Sequence, residues 1–168
     1  ATGLSIWAAV IARSRRAVPG SNSFGWLMLA VAHWCLISAL HALVAETGAR
    51  IALNKVQFLS VASIGVLWLS FASGYARVGW PSRPGVLGAL WLIPVTTIVL
   101  AITNEAHGLI WTDISLSETP WGGRLVYTPG TWFWVQVVFS YVLVAIGSWM
   151  LAVGVSTFPP GPRTRCVR

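Results

Sequence analysis

Long apolar runs make up most of this chain, and the charged residues alternate between the gaps that separate them. The acidic residues all fall in the second and fourth gaps: Glu46, Glu105, Asp113 and Glu118. Eight of the eleven basic residues fall in the first gap, the third gap and the tail: Arg13, Arg15, Arg16, Arg77, Arg83, Arg163, Arg165 and Arg168. Membrane proteins keep Lys and Arg in their cytoplasmic loops. The alternation therefore predicts a polytopic membrane protein and also its orientation.

The composition supports the same class. Charged residues make up 9% of the chain and hydrophobic residues 56%, and the mean hydropathy is +0.73. A soluble domain carries about 25% charged residues. The net charge of +7 then indicates loop topology and attraction to anionic lipid headgroups, not a nucleic-acid surface. The expected partners are the lipid bilayer and either other membrane subunits or further copies of this chain.

Four apolar runs are long enough to cross a bilayer as helices: residues 24–45, 56–75, 86–103 and 131–155. A spanning helix needs about 20 residues, and the backbone in hydrocarbon must satisfy its own hydrogen bonds. We interpret the shorter run at residues 1–12 as the cytoplasmic half of a further spanning helix that starts before Ala1. Residues 1–168 are therefore expected to form one integral membrane domain.

The predicted fold is all-α, a polytopic helical membrane bundle of about five transmembrane helices. We expect a bacterial or archaeal inner membrane, with the N-terminus outside and the C-terminus in the cytoplasm. One long gap, residues 104–130, is predicted to carry a small extracytoplasmic β-hairpin between the fourth and fifth helices. Its strands are placed at 107–116 and 124–127, because β-branched residues recur in the first stretch and turn-forming residues separate the two. Helical spacing within 109–116 leaves a surface helix as the alternative.

Tryptophan is abundant, with eleven copies. Six lie at or near span ends: Trp26, Trp80, Trp111, Trp121, Trp132 and Trp134. For these six we favour a role in the aromatic belt that anchors spans at the headgroup level. Pro94, in the middle of the fourth span, removes one helical hydrogen bond.

The densest polar cluster, Asn104, Glu105, His107 and Trp111, lies where the fourth helix leaves the membrane. Its side chains could cap the helix, bind a small polar ligand or sense pH through the imidazole. The competing interpretation is that they only satisfy backbone groups at the interface. Both interpretations stay open from these residues alone.

His33 and His41 lie eight residues apart on the second helix, about 12 Å in rise, and could contact a haem or a pigment. A bis-histidine site needs a second helix, and the third and fifth spans contain no histidine. We therefore favour an internal hydrogen bond for His33 and an interfacial position for His41. No metal-ligand spacing occurs, Cys35 and Cys166 are expected to be free thiols, and the sequence requires no cofactor.

No Asp, Glu, Lys or Arg lies deep in a span, which argues against a proton pump or an ion-coupled transporter. No carboxylate pair, nucleophile–base set or phosphate loop occurs either, so no catalytic site is predicted.

Two stretches carry a family resemblance. The first runs from Leu90-Trp-Leu-Ile-Pro94 into Thr103-Asn-Glu-Ala-His-Gly-Leu-Ile-Trp111, and the second is Pro129-Gly-Thr-Trp-Phe-Trp-Val135. Together they resemble the N-terminal seven-helix membrane region of sensor histidine kinases, in which a helix with a mid-span proline enters a Thr-Asn-x-x-His-x-Leu-x-Trp motif. Phe139-Ser-Tyr141 is similar to the family too. The chain departs from the family in having no proline near residues 63–66 and no sixth or seventh helix.

The resemblance implies a sensory input module for signal transduction in a two-component system. Asn104, His107 and Trp111 would then line a sensing or structural cap. This chain would not be an enzyme, because a kinase or cyclase domain would follow residue 168. The alternative function is a non-catalytic accessory subunit of a larger membrane complex, which contacts pigment, haem or lipid through His33, His41 and the tryptophans.

Overall fold

The computed structural model describes residues 2–14, 20–119 and 122–156. These residues form the helices α1 (Thr2–Ser14), α2 (Ser21–Leu43), α3 (Thr47–Tyr75), α4 (Pro84–Ile102) and α5 (Thr131–Ser156). A single turn of 3₁₀ helix (Asn104–Ala106) and the strands β1 (Trp111–Thr119) and β2 (Gly122–Pro129) lie between α4 and α5. The prediction of an all-α bundle with a small hairpin between its fourth and fifth helices is confirmed.

Helix α3 is the centre of the bundle. It packs against α2, α4 and α5, whereas α1 packs against α2. Small residues let α5 approach α3 closely: a Cβ atom at Gly65 would lie 3.2 Å from the Ser140 Cα, and one at Gly147 would lie 2.8 Å from the Trp68 ring. Close packing of small residues is what holds helices together in lipid, where apolar burial drives no association.

The outward faces of the helices are apolar. Leu92 is 66% exposed, Tyr141 is 73% exposed and Trp149 is 72% exposed. Helices α2, α3, α4 and α5 are each long and apolar enough to cross a membrane. An outward apolar surface on long helices is the arrangement that a bilayer stabilises, so the chain is a multi-pass membrane protein.

Helix α3 begins nine residues before the span that we predicted, at Thr47 and not at Val56. Glu46 caps it: its carboxylate accepts hydrogen bonds from the Gly48 N–H at 2.8 Å and the Ala49 N–H at 2.6 Å. A carboxylate at this position satisfies backbone donors that the first helical turn leaves unpaired. The hydrophobic run marks only the buried part of α3, and the cap marks its true start.

The two strands pair antiparallel, with Ile114 opposite Tyr127 and Thr119 opposite Gly122. Both strands run further toward the turn than predicted, and β1 begins at Trp111, four residues later than expected. The alternative of a surface helix over 109–116 is wrong. A register irregularity between Trp111 and Asp113 places an extra residue in β1. Such a bulge lets Trp111 and Ile114 point to the same side of the sheet, although they are three residues apart.

One end of the bundle brings together the ends of α2 and α4, the starts of α3 and α5, and the sheet; we call it the hairpin end. A buried apolar cluster lies beneath the sheet and consists of Phe58, Ala101, Ile110 and Trp111. A second cluster in the middle of the bundle is built on Val66, Leu69 and Leu143. The hairpin end thus has its own core, continuous with α3 and α4.

Candidate functional site

Asn104 organises the hairpin end. Its side chain is buried, with 7% of the residue exposed. The Oδ1 atom accepts hydrogen bonds from the Ile110 N–H at 2.9 Å and the Trp111 N–H at 3.0 Å, and the Nδ2 atom donates to the Trp111 carbonyl at 2.9 Å. Buried backbone groups in an irregular segment need such partners. One side chain therefore closes the loop between α4 and β1.

His107 lies on the exposed side of the same loop. Its Nδ1 atom accepts a hydrogen bond from the Leu109 N–H at 3.0 Å, and its Nε2 atom lies 3.1 Å from the Thr103 hydroxyl. A neutral imidazole that accepts at Nδ1 carries its proton on Nε2. The ring thus donates to Thr103 and braces the turn at Gly108, whose φ of +63° is a left-handed conformation.

Glu105 joins α3 to the end of α4. Its carboxylate pairs with the Lys55 ammonium at 2.5 Å, and Lys55 also donates to the Ile102 carbonyl at 3.1 Å. That carbonyl belongs to the last turn of α4, where a positive charge is favourable. The hydrogen bond from Lys55, with a smaller contribution from the backbone of Glu105, lowers the pKa of the Glu105 carboxyl.

Trp111 is a core residue. It is 5% exposed, meets Phe58 edge-on with ring centroids 5.1 Å apart, and packs on Tyr127 at 5.6 Å. Its assignment to the aromatic belt is wrong, because α3 and β2 enclose it. Trp26, Trp80 and Trp134 are exposed at span ends as a belt requires, and Trp121 lies outside the described residues.

The backbone of the same loop is bonded to the start of α5. The Gly130 N–H donates to the Ile110 carbonyl at 2.8 Å, and the Trp132 N–H donates to the Leu109 carbonyl at 3.0 Å. A Cβ atom at Gly130 would overlap the Leu109 carbonyl, so this approach requires glycine. The structure therefore brings together Asn104, Glu105, His107 and Trp111, with α5 attached to them.

A buried polar chain extends from this cluster into the bundle, and sequence reasoning missed it. The Trp132 indole N–H donates to the Thr97 hydroxyl oxygen at 2.9 Å, and that hydroxyl lies 2.9 Å from Oε1 of Gln136. Trp132 therefore bonds inward, in contrast to the belt position expected for it. The signal that could have found this chain is Gln136, an amide side chain within an otherwise apolar run.

The structure places the two candidate haem or pigment contacts, His33 and His41, in different surroundings. The Nδ1 atom of His33 lies 2.9 Å from the Ser60 hydroxyl of α3. This is the internal hydrogen bond that we expected for His33. The Nε2 atom of His41 is buried and has no hydrogen-bond partner among the described residues. In residues 2–14, 20–119 and 122–156, no group of three His, Cys, Asp or Glu side chains is arranged to hold a metal ion.

One family of known proteins matches this chain. A family model described as the N-terminal 7TM region of histidine kinase matches residues 1–166. No curated protein and no solved structure matches the chain significantly. The fold is that of a multi-pass helical membrane domain. The chain belongs to the family of N-terminal seven-transmembrane regions of histidine kinases.

Proposed function

We propose that this chain is the membrane-embedded sensory input module of a histidine kinase and that its hairpin end receives the stimulus. The observation that carries this proposal is the family match, which extends over nearly the whole chain. The apolar helices support it as well, because an input module of this kind changes its helix arrangement within the bilayer. A kinase region elsewhere in the protein would perform the catalysis.

The charge pattern supports an orientation with the hairpin end outside the cell. The gap between α3 and α4 carries Arg77 and Arg83, whereas Glu105, Asp113 and Glu118 lie between α4 and α5. The test is cysteine labelling in a variant in which Cys35 and Cys166 are replaced by serine. An impermeant maleimide applied to intact cells should label Asp113→Cys and not Arg83→Cys, both at exposed positions. Labelling of Arg83→Cys and not of Asp113→Cys would show the opposite orientation.

Within the hairpin end, we assign Asn104 the role of a structural cap that keeps the loop in one shape. Its oxygen is occupied by two backbone donors, so a ligand that took that oxygen would open the loop. His107 and Glu105 lie at the surface of the cap and are the side chains that a stimulus reaches first. A ligand shifts a two-state equilibrium only when it binds the two states unequally. Opening and closing of this loop supplies such a difference.

The experiment uses the full-length natural protein in membrane vesicles and measures autophosphorylation. Asn104→Ala should change the rate, because it frees the loop from α4. Gly88→Ala is the matched control, since a Cβ atom at Gly88 meets nothing within 4 Å. Autophosphorylation that is identical in Asn104→Ala and wild type would contradict a role of the cap in sensing. A natural reading frame without a kinase region would overturn the proposal in favour of an accessory subunit.

A further inference from the structure

Gln136 places an amide in the apolar part of α5, between α3 and α4. The residue is 3% exposed. A buried amide without hydrogen bonds is strongly unfavourable, and lipid offers it none. Its partners come from three helices: Thr97 of α4, Ser140 of α5 and the Ala62 carbonyl of α3. Gln136 is thus the point at which the three packed helices share one hydrogen-bond network.

The Thr97 hydroxyl has more acceptors than protons. Its oxygen accepts from the Trp132 indole, and its single proton has two acceptors within reach, the Ile93 carbonyl at 2.8 Å and Gln136 Oε1 at 2.9 Å. A hydroxyl donates one hydrogen bond at a time. If the proton points to Gln136, the amide oxygen is satisfied. If the Thr97 proton points to the Ile93 carbonyl, Oε1 of Gln136 loses its donor.

When the Thr97 proton points to Ile93, a rotation of the Gln136 amide by half a turn gives the amide oxygen a new donor. The NH₂ group would then donate to the Thr97 oxygen, and the amide oxygen would accept the proton of the Ser140 hydroxyl. Both exchanges use distances already present, 2.9 Å to Thr97 and 2.8 Å to Ser140. The difference lies at α3. In the first position Nε2 donates to the Ala62 carbonyl at 3.3 Å, and in the rotated position an oxygen faces that carbonyl.

The two positions therefore hold the helices differently. In the first position the Gln136 amide bonds α5 to both α3 and α4, and in the rotated position this amide bonds α5 to α4 alone. The hydrogen bond from the Trp68 indole to the Val144 carbonyl, at 3.2 Å, joins α3 to α5 in both positions. Rotation also sends the Thr97 proton to the Ile93 carbonyl, a bond back to the preceding turn that bends helices. This part of α4 is already weakened by Pro94, which cannot donate to the carbonyl of Leu90.

We propose that Gln136 is a two-position latch whose amide orientation, read by Thr97, couples the hairpin end to the packing of α5 on α3. This inference rests on the proposed sensory function and names the residues that would carry its signal. The link to the hairpin end is Trp132, which donates its backbone N–H to Leu109 and its indole N–H to Thr97. Displacement of the loop at Leu109 would thus move Trp132, which is bonded directly to Thr97.

The test is NMR of the intact chain in lipid nanodiscs with nitrogen-15 in glutamine only. The chain contains two glutamines, so Gln57, which donates to Ser38 in the seam between α2 and α3, is the internal control. We expect the Gln136 side-chain amide to exchange between two environments while the Gln57 amide does not. A single Gln136 environment without exchange would overturn the proposal.

Substitutions of Thr97 test the mechanism of the exchange. Thr97→Val removes the hydroxyl and should leave Gln136 in one position, whereas Thr97→Ser keeps the hydroxyl and should preserve the exchange. Exchange that persists in Thr97→Val would contradict the latch. The Gln57 signal and the helical circular dichroism show whether each variant is folded.

Asn104→Ala tests the coupling, because it releases the loop and removes none of the hydrogen bonds described for Gln136. The ratio of the two Gln136 populations should change by roughly 2- to 30-fold, the range of known coupling networks. An unchanged ratio in a folded protein would overturn the coupling. None of these measurements depends on autophosphorylation. A latch that exchanges in a protein without sensory output would contradict the proposed function alone, and an absent exchange in a functional sensor would contradict the latch alone.

Discussion

The hairpin end and the interior of the bundle are stabilised in different ways. At the hairpin end, side chains bond to backbone groups: Asn104 holds two N–H groups and a carbonyl, and Lys55 holds the end of α4. In the interior, helices satisfy their own backbones and are joined by close approach, as at Gly65 and Ser140, with few side-chain hydrogen bonds such as those of Gln136 added. Buried irregular backbone requires hydrogen-bond partners, whereas regular helices in lipid require close packing against one another. A substitution should therefore have a different effect in each region.

The largest effect is expected for Asn104→Ala. The N–H groups of Ile110 and Trp111 would lose their common acceptor at buried positions. Leaving buried donors unpaired should destabilise the hairpin end by about 2–4 kcal/mol. Hydrogen exchange at these two amides measures the loss. Asn104→Asp is the comparison variant: it keeps an acceptor for the two N–H groups, so these amides should stay better protected than in Asn104→Ala, although its second oxygen faces the Trp111 carbonyl and costs stability. Equal protection in Asn104→Ala and wild type would show that Asn104 is not what closes the loop.

An intermediate effect is expected in the interior for Gly65→Val. A Cβ atom there lies 3.2 Å from the Ser140 Cα, so α5 must move away from α3. Overpacking of this kind should destabilise the bundle by about 1–3 kcal/mol, measured as unfolding in mixed micelles by circular dichroism. Gly88→Val makes the same chemical change where no atom lies within 4 Å. If both variants lose equal stability, the exchange of glycine for valine in a helix would explain the loss, and close packing of α3 on α5 would not.

The smallest effect is expected for Lys55→Met at the hairpin end. Glu105 is 68% exposed at its side chain, so the pair should contribute below about 1 kcal/mol. The pKa of Glu105, now lowered chiefly by the Lys55 hydrogen bond, should rise toward its ordinary value, as NMR titration of the carboxyl would show.

The sign of the pH effect follows from that shift. The lowered pKa stabilises the folded state above the ordinary carboxyl pKa, and this stabilisation is lost as the pH falls through the lowered value. Lys55→Met should weaken that acid-side dependence, because it removes the largest cause of the lowered pKa, and Lys55→Arg should retain it. An unchanged Glu105 titration in Lys55→Met would mean that the pair contributes nothing in solution.

Sequence reasoning predicted those features that depend on near neighbours in the chain. The spans follow from hydropathy, and the hairpin follows from turn residues and β-branched residues. Asn104 and His107 act on residues within one loop, so their cluster was visible as a motif. The start of α3 was missed because Glu46 caps a polar turn that precedes the apolar run.

The features that sequence reasoning missed depend on residues far apart in the chain. Thr97, Trp132 and Gln136 meet only after α4 and α5 have packed, and neutral polar side chains leave no charge signal. The position of Trp111 in the sequence, near the end of a span, is compatible with either the aromatic belt or a buried core. Its burial is decided by Phe58, which lies on α3.

The length of α3 has a consequence for its setting in the membrane. Its 29 residues extend about 44 Å, whereas the hydrocarbon layer is about 30 Å thick. The apolar part of α3, residues 56–75, is about 30 Å long and fits this layer, so the excess length lies in the more polar residues 47–55, which project into the headgroups at the N-terminus of the helix. Since Lys55 near that terminus holds Ile102 and Glu105, a change in tilt carries the end of α4 with it. A bilayer thinner or thicker than this span would change the tilt of α3, so the hairpin end would take a different position in each.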